Sequence, residues 1–319
     1  MARHYIGKVG YMKKLFTKLS LPLALALVTF IVFSSGCSCD RKTGSINEEA
    51  IVFKDPVFGK LLKEELGKDE VFPKDLSDVT GVQISADKFL HLTGGGRPDK
   101  SIIHFYEDTF EFEGVKYTGY GTMKSLEDLV HFPELSALRV TLQPEIDYST
   151  IPTTNAKLAV IFIYQSKLTD VSFVSAYPSI KQLVFNTNNI SDVSPIASCT
   201  ALTHLTLDNN NITDISSLST LKELKSFSLY SNKVSDISVL ENFTKLEKIS
   251  FYNNKIKDIS PLAKLPNLKA VEMINNQIED VSPLKNFTSF EELRLSGNPI
   301  KNLDVLKHIE NLEYEETYG

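Results

Sequence analysis

Two ladders of polar residues are the first candidates for chemistry in this sequence. Asparagines recur every 22 residues, at Asn188, Asn210, Asn232, Asn254, Asn276 and Asn298. Aspartates recur four residues later, at Asp192, Asp214, Asp236, Asp258 and Asp280. Amide and carboxylate oxygens could bind a metal ion, and carboxylates could act as acid and base. The fixed spacing instead indicates one structural position per repeated unit: an asparagine that pairs with backbone groups at a turn, and an aspartate that accepts from free N–H groups at a helix or 3₁₀ start.

The other reactive residue types show no spacing that is typical of a catalytic or metal site. None of the six histidines falls in an HExxH pattern or beside a cysteine. Residues 93–101 superficially resemble a phosphate-binding loop, but Asp99 replaces the second glycine and would repel phosphate. Cys199 takes a repeat position that leucine fills elsewhere, so we expect it in the core. We therefore predict no catalytic residue, no metal and no cofactor, and a net charge of −6 gives no footprint for nucleic acid.

The spacing comes from a repeated phrase, LxxLxLxxNxIxDIxxL, that dictates an architecture. One unit has apolar residues at Leu202, Leu205, Leu207, Ile212, Ile215, Leu218 and Leu221. No single unit can bury this face, whereas stacked units bury it together and form a solenoid. The alternation around Leu205 and Leu207 predicts a short strand, and stacking predicts a parallel inner sheet of about eight strands. About eight residues then remain before the next strand, which favours short 3₁₀ turns on the convex side.

The unit with Asn, Ile and Asp-Ile-Ser resembles the leucine-rich repeat of bacterial internalins, and the resemblance covers about Leu135 to Leu312. It implies an α/β-type solenoid: a leucine-rich repeat horseshoe with a parallel inner sheet, a convex side of short 3₁₀ turns and an N-terminal cap. It also implies a protein-binding scaffold rather than an enzyme. The pattern departs from the family at Ser166, which replaces an asparagine, and at Asn302, which replaces an aspartate.

The first residues have the layout of an export signal. Five basic residues precede the apolar run Leu21 to Phe33, which is short for a membrane-spanning helix. The following Ser34-Ser35-Gly36-Cys37 resembles a bacterial lipobox, although Ser34 stands where the family has leucine. We predict a signal peptide at 1–36, lipidation of Cys37, a flexible tether at 37–50 and a membrane-anchored lipoprotein of the bacterial cell envelope, outside the cytoplasm. An uncleaved anchor or an ordinarily secreted chain is the alternative.

Residues 51–134 lack the clean period, and we predict an N-terminal cap that covers the open end of the core. Val57, Leu61, Leu62 and Leu66 with Gly67 as a stop signal predict a helix. An insertion at about 91–120 predicts a hairpin of residues 102–106 and 109–117 with a turn signal at Glu113-Gly114. The repeats should then occupy 135–312, and an acidic tail 313–319.

Function should lie on the side chains that point outward from the inner sheet. Aromatic residues are unusually frequent there, and tyrosine is enriched in interface hot spots. We predict that a protein or peptide partner contacts Phe162, Tyr164, Asn186, His204, Asp208, Tyr230, Tyr252 and Ile274. Two alternatives stay open. One is a ligand-binding or enzymatic role of the insertion, where Tyr106, Glu107, Asp108, Tyr117 and Tyr120 cluster, and the other is a structural role in an envelope assembly.

Overall fold

The computed structural model describes residues 49–97, 103–104, 108–112 and 114–313. The predicted signal peptide, Cys37, most of the predicted tether, and residues 314–319 of the predicted tail lie outside the described residues. All the described residues belong to one compact unit, Glu48–Gly319.

The described residues contain a long sheet and a small one. The strands are β1 Gly81–Ser85, β2 Phe89–Thr93, β3 Ile103–His104, β4 Thr109–Phe112, β5 Val115–Thr118, β6 Ala137–Thr141, β7 Val160–Tyr164, β8 Gln182–Val184, β9 His204–Thr206, β10 Ser226–Ser228, β11 Lys248–Ser250, β12 Ala270–Glu272, β13 Ser289–Arg294 and β14 Glu310–Glu313. The 11-stranded sheet has the order β14-β13-β12-β11-β10-β9-β8-β7-β6-β1-β2, and β3-β4-β5 form the second sheet. Every neighbouring pair in the long sheet is parallel except β1 and β2.

The return segments are short 3₁₀ helices, as predicted. They cover Glu127–His131, Tyr148–Thr150, Ser172–Ala176, Ser194–Ser198, Ser216–Thr220, Ser238–Asn242, Ser260–Lys264, Ser282–Leu284 and Leu303–Leu306. The aspartate of each motif caps the turn from one position earlier than an ordinary N-cap. Asp214 Oδ1 accepts from the Ser216 amide at 2.8 Å, while Ile215 is the residue that directly precedes the 3₁₀ helix. The pKa of Asp214 is lowered by that backbone hydrogen bond.

The asparagine ladder holds consecutive units together, which confirms its structural interpretation. Asn210 Nδ2 donates to Phe185 O of the preceding unit at 2.8 Å and to Leu207 O of its own unit at 2.9 Å. Asn210 Oδ1 accepts from the Ile190 amide at 3.0 Å. These backbone groups are buried, so leaving them unpaired would cost free energy. Cys199 is fully buried in the core, also as predicted.

The N-terminal cap begins with two helices, α1 Pro56–Leu66 and α2 Pro73–Leu76. Asp55 caps α1, and Gly67 ends it in the left-handed conformation at φ 63°, which glycine adopts without strain. The prediction of eight strands in the inner sheet is wrong. β6 to β13 are the eight expected strands; the cap adds β1 and β2, and the C-terminal end adds β14. β1 pairs in parallel with β6 and carries core residues Val82 and Ile84, so the cap continues the same sheet and core.

The insertion forms a three-stranded sheet instead of the predicted hairpin. The residues expected to form one strand, 109–117, form β4 and the first part of β5, which pair antiparallel. The chain turns between them at Gly114, where φ is 79°. β3 pairs with the other edge of β4. The turn signal was therefore correct, and its position inside the predicted strand divides that strand in two.

Candidate functional site

Each strand of the repeats presents three side chains on the sheet face opposite the core, which is the concave face of the solenoid. The last of the three forms the terminal row, which includes Tyr164, Asn186, Asp208, Tyr230, Tyr252 and Ile274. Phe162 lies in the middle row and His204 in the first row of the same face. All eight predicted contact residues are half-buried, so each exposes part of its side chain. The structure therefore places them on one surface, with neighbouring strands about 4.8 Å apart.

Tyr230 and Tyr252 form an aromatic pair in the terminal row. Their ring centroids are 4.8 Å apart, with an interplanar angle of 10°. Asn275 Nδ2 donates to the Tyr252 hydroxyl at 3.2 Å, and burial raises the pKa of this phenol. The two stacked rings are both half-buried, so they offer a preorganised, partly apolar surface.

A second aromatic pair, Phe162 and Tyr164, lies two strands before Asp208. Their centroids are 6.4 Å apart at 16°, and the Arg139 guanidinium lies 5.4 Å from the Phe162 ring centroid. Burial raises the pKa of Tyr164, and the negative charge of Asp208 raises it further, so the phenol stays neutral. Sequence reasoning missed Arg139. The alternation Leu138-Arg139-Val140 could have shown that it points outward, since both neighbours are core residues.

Asp208 lies between the two aromatic pairs. Its Oδ1 accepts from the Tyr230 amide at 2.9 Å and from the Ser228 hydroxyl, and its Oδ2 accepts from Asn186 Nδ2 at 3.4 Å. Burial raises its pKa from 3.8 to about 7, with a smaller contribution from the negative charge of Glu272. Strongly shifted carboxyl groups on accessible surfaces are concentrated at functional sites.

Several other ionisable groups of this face are paired or neutral. Glu272 accepts from the Ser250 hydroxyl at 2.7 Å and lies 3.6 Å from Arg294, which also contacts Glu292 at 2.9 Å. His204 Nδ1 lies 2.9 Å from the hydroxyl of Thr203. Burial and the nearby Lys225 lower the pKa of His204, so the ring is neutral at pH 7.

The small sheet covers the N-terminal end of the concave face, and sequence reasoning did not predict this cover. Phe112 stacks on Phe89 of β2 with centroids 4.2 Å apart, and it also contacts His91. Phe110 stacks on Tyr117 at 5.0 Å and is fully buried. The aromatic residues of the insertion thus serve largely as packing. Most outward side chains of β7 to β13 are only half-buried, so this part of the face is open.

The residues that the sequence groups in the insertion lie only partly within the described part of the chain. Tyr117 packs as above, Tyr120 lies 4.2 Å under the Lys167 ammonium, and Tyr106 and Glu107 lie outside the described residues.

Within the part of the chain that the structure describes, no group of three or more His, Cys, Asp or Glu residues could hold a metal ion. In the same part, no helix has the length and apolar character that crossing a membrane requires.

Comparisons with known proteins agree with this architecture. A family model described as Leucine Rich repeats (2 copies) matches residues 200–242 and 244–286. The fold is a leucine-rich repeat solenoid. The structure of an internalin (inlF) from Listeria monocytogenes is similar with a TM-score of 0.60 and 23% identity, over 83% of this chain and 77% of that chain. The comparison with curated proteins gives no match.

Two further solved structures are informative. Internalin C2 from Listeria monocytogenes is 28% identical with a TM-score of 0.55, over 81% of this chain and 98% of that one. The plant peptide hormone receptor RGFR1, solved in complex with RGF2, is 19% identical with a TM-score of 0.50, over 60% of this chain and 34% of its own. The fold predicted from the repeats is therefore confirmed, and leucine-rich repeat proteins generally mediate protein–protein interactions.

Proposed function

We propose that this chain is a non-catalytic surface lipoprotein of the bacterial cell envelope, whose open concave face binds a protein or peptide. The observation that supports binding is the stacked pair of Tyr230 and Tyr252. Two tyrosine rings held parallel and partly exposed have little conformational entropy to lose on binding. The plant peptide hormone receptor RGFR1, whose fold is similar, is solved in complex with RGF2.

Single substitutions on the concave face test whether it binds the partner. Tyr230→Ala and Tyr252→Ala should each weaken partner binding by more than about 1 kcal/mol, because aromatic hot spots contribute at least this much. The full chain in detergent captures partners from envelope extract, and the affinity of each purified partner is then measured for every variant by calorimetry. Circular dichroism must show that the variants keep the wild-type fold.

Tyr120→Ala is the matched control, since it also removes a tyrosine side chain, but from the insertion instead of the concave face. Binding should be unchanged in this variant if the concave face is the site. If Tyr230→Ala and Tyr252→Ala bind the partner as tightly as wild type does, the proposal is contradicted. A loss confined to Tyr120→Ala would move the site to the insertion.

The anchoring half of the proposal is supported by the sequence alone. Basic residues, a short apolar run and Ser35-Gly36-Cys37 together have the order of a lipoprotein export signal. A lipid on Cys37 would hold the solenoid at the membrane, and the tether would give it reach. In the bacterial host, Cys37→Ser should abolish incorporation of labelled palmitate and release the chain from the membrane fraction. Palmitate incorporation that persists in Cys37→Ser would rule out this anchor.

A further inference from the structure

The carboxylates of the open concave face differ in how their charge is balanced. Glu272 and Glu292 both contact Arg294. Asp208 has no basic side chain within ion-pair distance among the described residues, and no positive charge is among the causes that set its pKa. It receives only neutral donors, from Asn186, Ser228 and the Tyr230 amide. A half-buried carboxylate without a cation is costly to keep ionised.

The hydrogen bonds of Asp208 leave one oxygen available. Oδ1 accepts two bonds, from the Ser228 hydroxyl and the Tyr230 amide. Oδ2 accepts only the 3.4 Å contact from Asn186, which is long for a hydrogen bond. The same bonds fix the carboxylate in place, so a ligand would not have to order it. Oδ2 is therefore the atom at which an incoming donor can pair with Asp208.

The neighbours of Asp208 indicate the kind of donor. In the terminal row, Tyr230 follows one strand later and stacks with Tyr252. Tyr164 lies two strands earlier and close enough for the charge of Asp208 to affect its phenol. Aromatic rings attract cations and also pack against the apolar stems of arginine and lysine. A neutral hydroxyl or amide donor would leave the negative charge unbalanced, whereas a cation would balance it.

We propose that the concave face binds a partner segment that presents an arginine or lysine side chain, whose cation pairs with Asp208 Oδ2 and whose stem packs against Tyr230. The inference rests on the proposed function, since it names the chemistry of the partner for the same surface. Asp208 is thereby the residue that determines specificity, and the tyrosine pair supplies apolar contact area. The nearby cations do not occupy the position, because Arg139 lies over Phe162 and Arg294 is held by two glutamates.

The pairing should depend on pH near neutrality. The titratable groups around Asp208 are Tyr164 from β7, Tyr230 after β10 and Glu272 in β12, with His204 in the first row of its own strand. The Tyr164 phenol and the His204 ring are neutral at pH 7, and Glu272 is paired with Arg294. Protonation of Asp208 therefore removes the charge that attracts the partner. Affinity for a basic segment should decrease as pH falls through about 7.

Selection from a random dodecamer peptide library tests the inference. The full chain in detergent, its Asp208→Asn variant and its Asp214→Asn variant are panned in parallel at about pH 8, where the carboxylate is ionised. Asparagine can still accept from Ser228 and the Tyr230 amide, so the first variant should fold. Asp214→Asn makes the same charge change in the same repeat, on the side of the 3₁₀ turn.

Wild type and Asp214→Asn should select peptides with an arginine or lysine at one shared position, and Asp208→Asn should not. The best arginine peptide and its citrulline analogue, which is neutral and nearly isosteric, are then compared by calorimetry. Wild type should bind the arginine form about tenfold or more tightly, and Asp208→Asn should bind both equally.

The outcomes separate the two proposals. Peptides that lack a basic preference, yet lose binding in Tyr252→Ala, would overturn the role of Asp208 and leave the concave binding face intact. Peptides that bind Tyr230→Ala and Tyr252→Ala as tightly as wild type would overturn the binding face itself. A basic preference that Asp208→Asn retains would show that general attraction to a chain of net charge −6 selects the peptides.

Discussion

Replacing Asp208 by asparagine should stabilise the solenoid at neutral and alkaline pH. The carboxyl group is half-buried, receives no cation, and has its pKa raised by burial from 3.8 to about 7. Asparagine is nearly isosteric and keeps an oxygen for the Ser228 hydroxyl and the Tyr230 amide. The substitution therefore removes the cost of the buried charge and retains the backbone hydrogen bond. A binding site that lowers stability in the absence of its partner is a common trade-off.

The sign and size follow from the two pKa values. Between pH 3.8 and about 7 the folded chain holds a proton on Asp208 that the unfolded chain has lost. Stability therefore falls as pH rises through this range and stays low above it. Since each tenfold change in proton affinity corresponds to about 1.4 kcal/mol, the upper limit is about 4 kcal/mol. Water screens a half-buried group, so we expect a gain of about 1 to 2 kcal/mol.

Urea unfolding measures the effect, with tyrosine fluorescence as the signal because the chain has no tryptophan. The free energy of unfolding of Asp208→Asn should match wild type at about pH 4.5 more closely than at about pH 8, where it should be higher by the expected amount. Asp214→Asn is the control. The pKa of Asp214 is lowered rather than raised, so its removal should give no gain at the higher pH. An Asp208→Asn variant that is less stable than wild type at both pH values would refute the reasoning.

Three further substitutions test the scaffold by urea unfolding or hydrogen exchange. Asn232→Leu should lower the free energy of unfolding by about 2 to 4 kcal/mol, because it leaves several buried backbone groups unpaired. As a control, the same substitution at the exposed Asn211 should have little effect on the unfolding midpoint. Lys245→Met breaks an exposed ion pair with Glu223 at 2.6 Å and should cost less than about 0.5 kcal/mol in the same assay. Phe110→Ala should lower the free energy of unfolding by about 3 kcal/mol. It should also increase amide hydrogen exchange in β3 to β5 while β10 to β12 stay protected. An equal increase of exchange in both groups of strands would contradict the separate packing of the insertion.

Much of the fold could be predicted because each repeated residue meets the same surroundings in every unit. The position of Cys199 is apolar in other units, and the residue is buried accordingly. The asparagines end strands whose backbone groups need partners, and they supply them. The helix α1 could be predicted from its apolar spacing and from Gly67, since both act within a few residues.

The cap was less predictable, since its pattern changes from element to element. The turn at Gly114 was visible in the sequence, yet the number of strands around it was wrong. That β1 joins the parallel sheet depends on its pairing with β6, more than fifty residues later in the chain. That the insertion covers Phe89 depends on packing between elements that share no period.

The sequence by itself determined the scaffold and the list of outward-facing side chains, because a fixed 22-residue period and the alternation of strands assign every strand position to the core or the concave face. Tertiary structure alone decided which of those side chains differ from the rest in pKa and in charge pairing. Asp208 gains its raised pKa from burial by neighbours on other strands, and its missing cation depends on Arg294 being held by Glu272 and Glu292. Apart from the contact between Arg294 and Glu292, these pairings join residues on different strands, 20 or more positions apart in the chain, at the variable positions of the repeat, where no local pattern can specify them.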